Sequence, residues 1–170
     1  MHPPNRYDEP MTNKVVTEEQ LVPLLAQARA MRKRIVFTNG CFDLMHVGHT
    51  RYLQAAKELG DLLIVGVNSD VSVKSLSKSS DRPIVPESQR AEILAALGCV
   101  DYVVLFPEPD PHRLIRAVQP DVLVKGGDWS VDTIVGRDVV EGLGGVVKTI
   151  PLVPGISTTT LIHRIRSTQT

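Results

Sequence analysis

The sequence predicts one open α/β domain, with a five-stranded parallel sheet between two helical layers. Three observations point there. Short apolar runs rich in branched residues recur from residue 35 onward, as strands buried on both faces require. Helical segments closed by glycine or opened by proline alternate with them, the pattern of right-handed crossovers. The length, 170 residues, is enough for one sizeable core and short for two.

Residues 1–16 begin with several prolines and no apolar periodicity, so they read as a flexible tail, and 17–170 as the domain. Thr17 with Gln20 forms a capping box ahead of Leu21, Leu24, Leu25 and Ala28, which predicts a lead-in helix despite Pro23. The cations Arg32, Lys33 and Arg34 complement the dipole at its end. Ile35 to Thr38 is the first strand, and His46 to Leu59 an amphipathic helix stopped by Gly60. Leu62 to Val67 is the second strand. The Ser- and Lys-rich stretch 68–81 reads as a surface loop, followed through Pro83 and Pro86 by a helix over Glu87 to Leu97. Tyr102 to Leu105 is the third strand, and Asp110-Pro111 opens another helix. Val122 to Val124 and Val146 to Ile150 are the last strands. Ser157 caps a final helix to about Arg166, with Leu161, Ile162 and Ile165 expected on its inner face.

Composition excludes several classes of function. Hydrophobic residues make up 42% and charged residues 22%, and 19 Lys plus Arg balance 19 Asp plus Glu. No global basic field exists for nucleic-acid binding, so no nucleic-acid partner is expected. The two cysteines suit a reducing compartment. No apolar signal core or run of about 18 apolar residues occurs, so the expectation is a cytoplasmic chain with no membrane partner.

In open α/β sheets, ligands bind beyond the carboxyl ends of the strands. After the first strand, His46 and His49 lie three residues apart with Gly48 between them, at a helix N-terminus that adds partial positive charge and free N–H groups. That combination is a phosphate cradle, without the loop of a P-loop NTPase or a dinucleotide dehydrogenase. After the fourth strand, Gly126 and Gly127 allow close backbone approach, Lys125 offers a cation, and Asp128 can take ribose hydroxyls. Ser157, Thr158, Thr159 and Thr160 form a row of hydroxyls suited to anionic oxygens. Lys74, Lys78, Arg82 and Arg90 supply cations from the loop after the second strand and the helix beyond it. A competing reading makes Asp43, His46 and His49 metal ligands, although no further His or Cys stands at recognisable spacing. Cys41 has no base placed beside it by the sequence and reads as a small buried thiol.

Gly40-Cys41-Phe42-Asp43 with His46-Val47-Gly48-His49, then Asn68-Ser69-Asp70, Lys125-Gly126-Gly127-Asp128-Trp129 and Ile156-Ser157-Thr158-Thr159, resemble in order and interval the HxGH nucleotidyltransferases of the cytidylyltransferase-like branch. The resemblance covers about residues 33 to 167 and implies a Rossmann-like domain of nucleotidyltransferase type. Within the branch, FTNGCFDLMHVGH, VNSD, RPIVP and LVKGGDW are most similar to the adenylyltransferase half of bifunctional ADP-heptose synthesis enzymes. No sugar-kinase portion accompanies them, so the resemblance implies a stand-alone enzyme joining ATP and D-glycero-β-D-manno-heptose 1-phosphate.

Carried over by resemblance, Asn39, Gly40, Cys41, Phe42 and Gly48 would meet the nucleotide, the backbone at Cys41 and Phe42 near the α-phosphate. His46 and His49 would stabilise charge in the transition state. Ser157, Thr158 and Thr159 would hold the outer phosphates, and Gly126, Asp128 and Trp129 the ribose and base. Lys78 and Arg90 would act on the reacting phosphates, and Asp43, Lys74 and Lys125 on the sugar phosphate. The metal would be Mg²⁺ carried by ATP phosphates, and the assembly a homodimer. An Arg expected a few residues before the Ile-Ser-Thr motif in glycerol-phosphate cytidylyltransferases is replaced by Leu152-Val153-Pro154, which weakens a cytidylyltransferase reading. A nucleotide-binding module without turnover is the remaining alternative.

Overall fold

The computed structural model describes residues 13–76, 82–127 and 130–167. Five parallel strands, β1 (Ile35–Gly40), β2 (Leu62–Asn68), β3 (Tyr102–Phe106), β4 (Val122–Gly126) and β5 (Val146–Ile150), lie in the order β3-β2-β1-β4-β5. The chain winds outward from β1 to β3, then returns to the other side of β1 with β4. β1 and β4 therefore flank the reversal of strand order, where their carboxyl ends leave a crevice.

Alternate side chains of each strand feed two cores. Val36, Leu63 and Val65 face one side with Leu53 and Ala56 of α2 (Val47–Lys57) and Ala91 and Leu94 of α4 (Glu87–Ala95). Ile35, Phe37 and Ile64 face the other with Leu21 and Leu25 of α1 (Glu18–Ala30), Leu114 and Ile115 of α5 (His112–Val118) and Val140 of α6 (Arg137–Gly142). The period-two division of branched residues is what a parallel sheet covered on both faces demands. Thr17 caps α1 with the reciprocal Gln20 bond of a capping box.

Four features depart from the sequence reading. Residues 14–16 are not loose: Val16 N–H donates to Val103 O and Val103 N–H to Lys14 O, both at 2.9 Å, so the segment adds to the edge of β3. The stretch read as loop contains a helix, α3 (Asp70–Leu76). A 3-10 turn (Val131–Thr133) and α6 fill the β4–β5 connection. In α7 (Thr158–Ser167) Leu161 and Ile162 are half-buried but Ile165 is 55% exposed, because β5 is an edge strand and offers that helix little surface. Among the described residues no helix is long and apolar enough to cross a membrane.

Candidate active site

The crossover after β1 turns sharply into α2. Phe42 (φ 50°) and Leu44 (φ 49°) both take the left-handed conformation, which is disfavoured for side chains of this size and persists only where surroundings over-determine it. Asp43, between them, supplies that constraint. Its carboxylate accepts N–H bonds from Ile84 (3.0 Å) and Val85 (3.0 Å) and a contact from Arg82 Nε (3.3 Å), while its carbonyl accepts Thr158 Oγ1 at 2.6 Å. The turn is thus tied at once to the segment before α4 and to the start of α7.

His46 is the N-cap of α2, and its Nδ1 accepts the Gly48 N–H at 3.1 Å. A ring nitrogen that accepts is unprotonated, so the neutral ring carries its proton on Nε2 as a donor. His49 stacks on it with centroids 3.9 Å apart and planes 23° from parallel, and Phe42 meets His49 edge-on at 5.4 Å. Burial lowers the His46 pKa; burial first, then the charges of His46 and Arg82, pushes His49 down to about 4. Both rings are neutral near pH 7 and offer N–H groups beside the amino end of α2, with His49 Nδ1 buried and unpartnered among the described residues. Gly48 permits the arrangement: a Cβ there would stand 2.8 Å from His46 Cε1.

The structure places the predicted residues differently. His46, His49, Gly48 and the backbone of Gly40, Cys41 and Phe42 lie together at the end of β1. Arg90, Asp43 and Thr158 are placed there too, but turned inward. Arg90 is 1% exposed and donates to Val85 O (2.9 Å), Cys41 O (2.5 Å), Asn68 O (2.9 Å) and Asp70 Oδ1 (2.7 Å), so its guanidinium binds protein where the sequence reading gave it substrate phosphate. Asp43 is likewise 1% exposed and occupied by backbone donors, where a substrate contact was expected. The buried Thr158 hydroxyl serves Asp43 O, where a contact to nucleotide phosphate was expected. Ser157 and Thr159 are exposed; Ser157 Oγ accepts Thr160 N–H at 3.1 Å, an ordinary cap. Lys74 is exposed on α3. Lys78, Asp128 and Trp129 lie outside the described residues.

The metal-ligand reading fares poorly. Asp43 has turned its carboxylate onto the backbone, and among the described residues no three His, Cys, Asp or Glu side chains are grouped to hold an ion. Burial raises the Cys41 thiol pKa, which disfavours the thiolate a nucleophile would need.

On the other side of the β1 and β4 ends lies a cavity of about 330 Å³ lined by Asn39, Asn68, Asp110, Lys125, Thr133 and Ile134 among others. Lys125 Nζ donates to Asn39 Oδ1 at 2.5 Å, and burial lowers its pKa to about 8. A cation held in a partly desolvated pocket is a point of attachment for an anion. Asn68, Asp110 and Thr133 had not been singled out as site residues. Asn68 ends β2, so the rule that ligands gather at strand carboxyl ends would have found it; Thr133 sits on a turn without sequence signal.

Comparison with known proteins agrees with this geometry. The family model for cytidylyltransferase-like proteins matches residues 37–169. The "Bifunctional protein HldE" of Syntrophotalea carbinolica is 54% identical over 153 residues, which are 90% of this chain and 31% of that protein, so the chain spans about a third of its relative's length. The lipopolysaccharide core biosynthesis protein from Thermoplasma volcanium GSS1 superposes with a TM-score of 0.59 at 31% identity, covering 71% of this chain and 97% of that one. Pantoate-beta-alanine ligase from Francisella tularensis, crystallised with a β,γ-ATP compound and β-alanine, shares the fold alone, with a TM-score of 0.58 at 14% identity over 92% of this chain and 78% of that one. With its parallel sheet and its His46–His49 pair at the head of α2, this chain belongs to the cytidylyltransferase-like family and is a nucleotidyltransferase.

Proposed function

We propose that this chain transfers the adenylyl group of ATP to D-glycero-β-D-manno-heptose 1-phosphate, releasing pyrophosphate and giving ADP-heptose for lipopolysaccharide core synthesis in the cytoplasm. The observation that carries it is the pair of neutral, stacked imidazoles at the head of α2, with a cavity anchored by Lys125 at the ends of the same central strands. The resemblance of the HVGH, VNSD and KGGDW segments to ADP-heptose synthesis enzymes supports the choice of sugar and base.

An oxygen of the sugar phosphate attacks the α-phosphorus in line. The new P–O bond forms as the bond to the β-phosphate oxygen breaks, and the electron pair leaves with pyrophosphate. The attacking phosphate is already ionised, so no general base is needed. His46 Nε2–H, with His49 beside it, donates to phosphate oxygens as charge builds, and positioning with charge stabilisation supplies the rate. Asp43 and Arg90 act indirectly, by fixing the left-handed turn that aims the Cys41 and Phe42 backbone. Lys125 with Asn39 receives the acceptor phosphate. Mg²⁺ belongs to the substrate in this reading, neutralising charge on the nucleotide phosphates.

The test is pyrophosphate release with Mg²⁺ from each pairing of ATP or CTP with heptose 1-phosphate or glycerol 3-phosphate. Release confined to ATP with heptose phosphate supports the reading. Release confined to CTP with glycerol phosphate overturns it, and silence in all four leaves a binding module. The exposed apolar side chains Leu143, Leu152 and Ile165 around β5 and α7 suit a homodimer, for which light scattering should give twice the chain mass.

A further inference from the structure

The cavity beside Lys125 carries a hydrogen-bond polarity that its own neighbours impose. At the β1 and β4 end the Lys125 ammonium can only donate, so Asn39 must present Oδ1 to it and keep its amide hydrogens for the cavity. At the β2 end the assignment runs the opposite way. Ser72 Oγ donates its one proton to Glu108 O at 2.7 Å. The same oxygen lies 2.9 Å from Asn68 Nδ2 and can only accept there, so the Asn68 amide is locked with its N–H toward Ser72. Asn68 lines the cavity, so its Oδ1 is left on that side, and no described residue donates to it. Asp110 adds a second acceptor on the same side; one carboxylate oxygen takes the His112 N–H at 2.9 Å and the other remains.

The cavity thus presents donors and a cation at one end and acceptors at the other. The two ends stand on β4 and β2, separated by β1, hence about 10 Å apart at the backbone. An inorganic phosphate satisfies only the first end. A sugar phosphate, with its anion at one end and hydroxyl hydrogens at the other, satisfies both.

We propose that Asn68 is the specificity-determining residue of this cavity, accepting a hydrogen bond from a hydroxyl of a polyhydroxylated sugar phosphate whose phosphate lies against Lys125 and Asn39. The inference rests on reading the cavity as the acceptor site, and it assigns the sugar-reading role to a residue that the nucleotide chemistry does not use. Ser72 is then a positioning residue, acting through Asn68 without touching the ligand.

The experiment is titration calorimetry of wild type, Asn68→Ala and Ser72→Ala with heptose 1-phosphate and with orthophosphate, in the presence of a non-hydrolysable ATP analogue. Wild type should hold the sugar phosphate more tightly than orthophosphate. Asn68→Ala should weaken the sugar phosphate about tenfold and change orthophosphate less than about twofold, a ratio that also reports an intact fold. Ser72→Ala, which frees the amide to rotate, should weaken the sugar phosphate in the same selective way. Equal losses for both ligands, unchanged affinity in Asn68→Ala, or no sugar-phosphate binding by wild type would each overturn the proposal. The expected selectivity without pyrophosphate release from ATP would instead overturn adenylyl transfer and keep the sugar-reading role.

Discussion

Replacing Arg90 by lysine separates a structural cation from one that faces substrate. Arg90 is 1% exposed and its guanidinium makes four hydrogen bonds, to Val85 O, Cys41 O, Asn68 O and Asp70 Oδ1. A lysine ammonium keeps the charge but lacks the planar fork and reaches one or two of these acceptors. Asp70, 32% exposed, can turn to water, so the loss falls on the two or three carbonyls. At about 1–3 kcal/mol for each unsatisfied buried group, the variant loses about 3–5 kcal/mol. For a chain of this size, about 2–4 °C per kcal/mol places the fall in melting temperature near 10 °C. The assay is thermal denaturation followed by circular dichroism, with pyrophosphate release measured well below the variant's transition. The expected result is a large drop in Tm with turnover kept within about tenfold, since four of the five N–H groups of Arg90 are held by protein acceptors and the side chain is buried. A Tm within about 2 °C of wild type combined with a hundredfold loss of turnover would refute the reasoning and return Arg90 to the substrate.

Three further outcomes follow from the histidine pair. His46→Ala and His49→Ala should each lower turnover about 10²-fold or more while the protein remains folded, as loss of a transition-state donor does; near-normal rates in either would contradict its role. Gly48→Ala should displace the His46 ring, whose Cε1 would lie 2.8 Å from the new Cβ, so turnover should fall at least tenfold with little change in Tm. Acid should destabilise the fold through His49. Its pKa is about 4 in the folded chain against 6.5 unfolded, so between those values the unfolded chain binds a proton the folded one refuses, and stability declines as pH falls through that window. Discounted for partial exposure, the loss at about pH 5 is about 1 kcal/mol, and urea melts should show it shrinking in His49→Gln.

The sheet was legible because its evidence is local. Ile35-Val36-Phe37 and Leu63-Ile64-Val65 can be divided between two faces by counting alone, and the resulting cores match. The His46–His49 pair was legible for the same reason, since three residues on a helix N-terminus bring two rings together wherever the helix packs. What stayed hidden depends on contacts distant in sequence. Arg90 reads as a free cation until Cys41, Asn68 and Val85 are brought to it, and Asp43 as a ligand until the backbone of 84–85 claims it. α3 escaped because its Ser- and Val-bearing segment has weak helix propensity; Ser69 Oγ accepting from Ser72 N–H and Glu87 accepting from Asp70 N–H start it. α6, six residues between Gly136 and Gly144, is too short to show a period.

The central claim, that the α-phosphoryl group of the nucleotide passes to a sugar phosphate, is tested most directly by following label from ATP. With heptose 1-phosphate, Mg²⁺ and purified protein, label in the α-phosphate should appear in the nucleotide sugar, and label in the γ-phosphate only in pyrophosphate. Label from the γ-phosphate on the sugar, or α-label released as free AMP, would contradict the account.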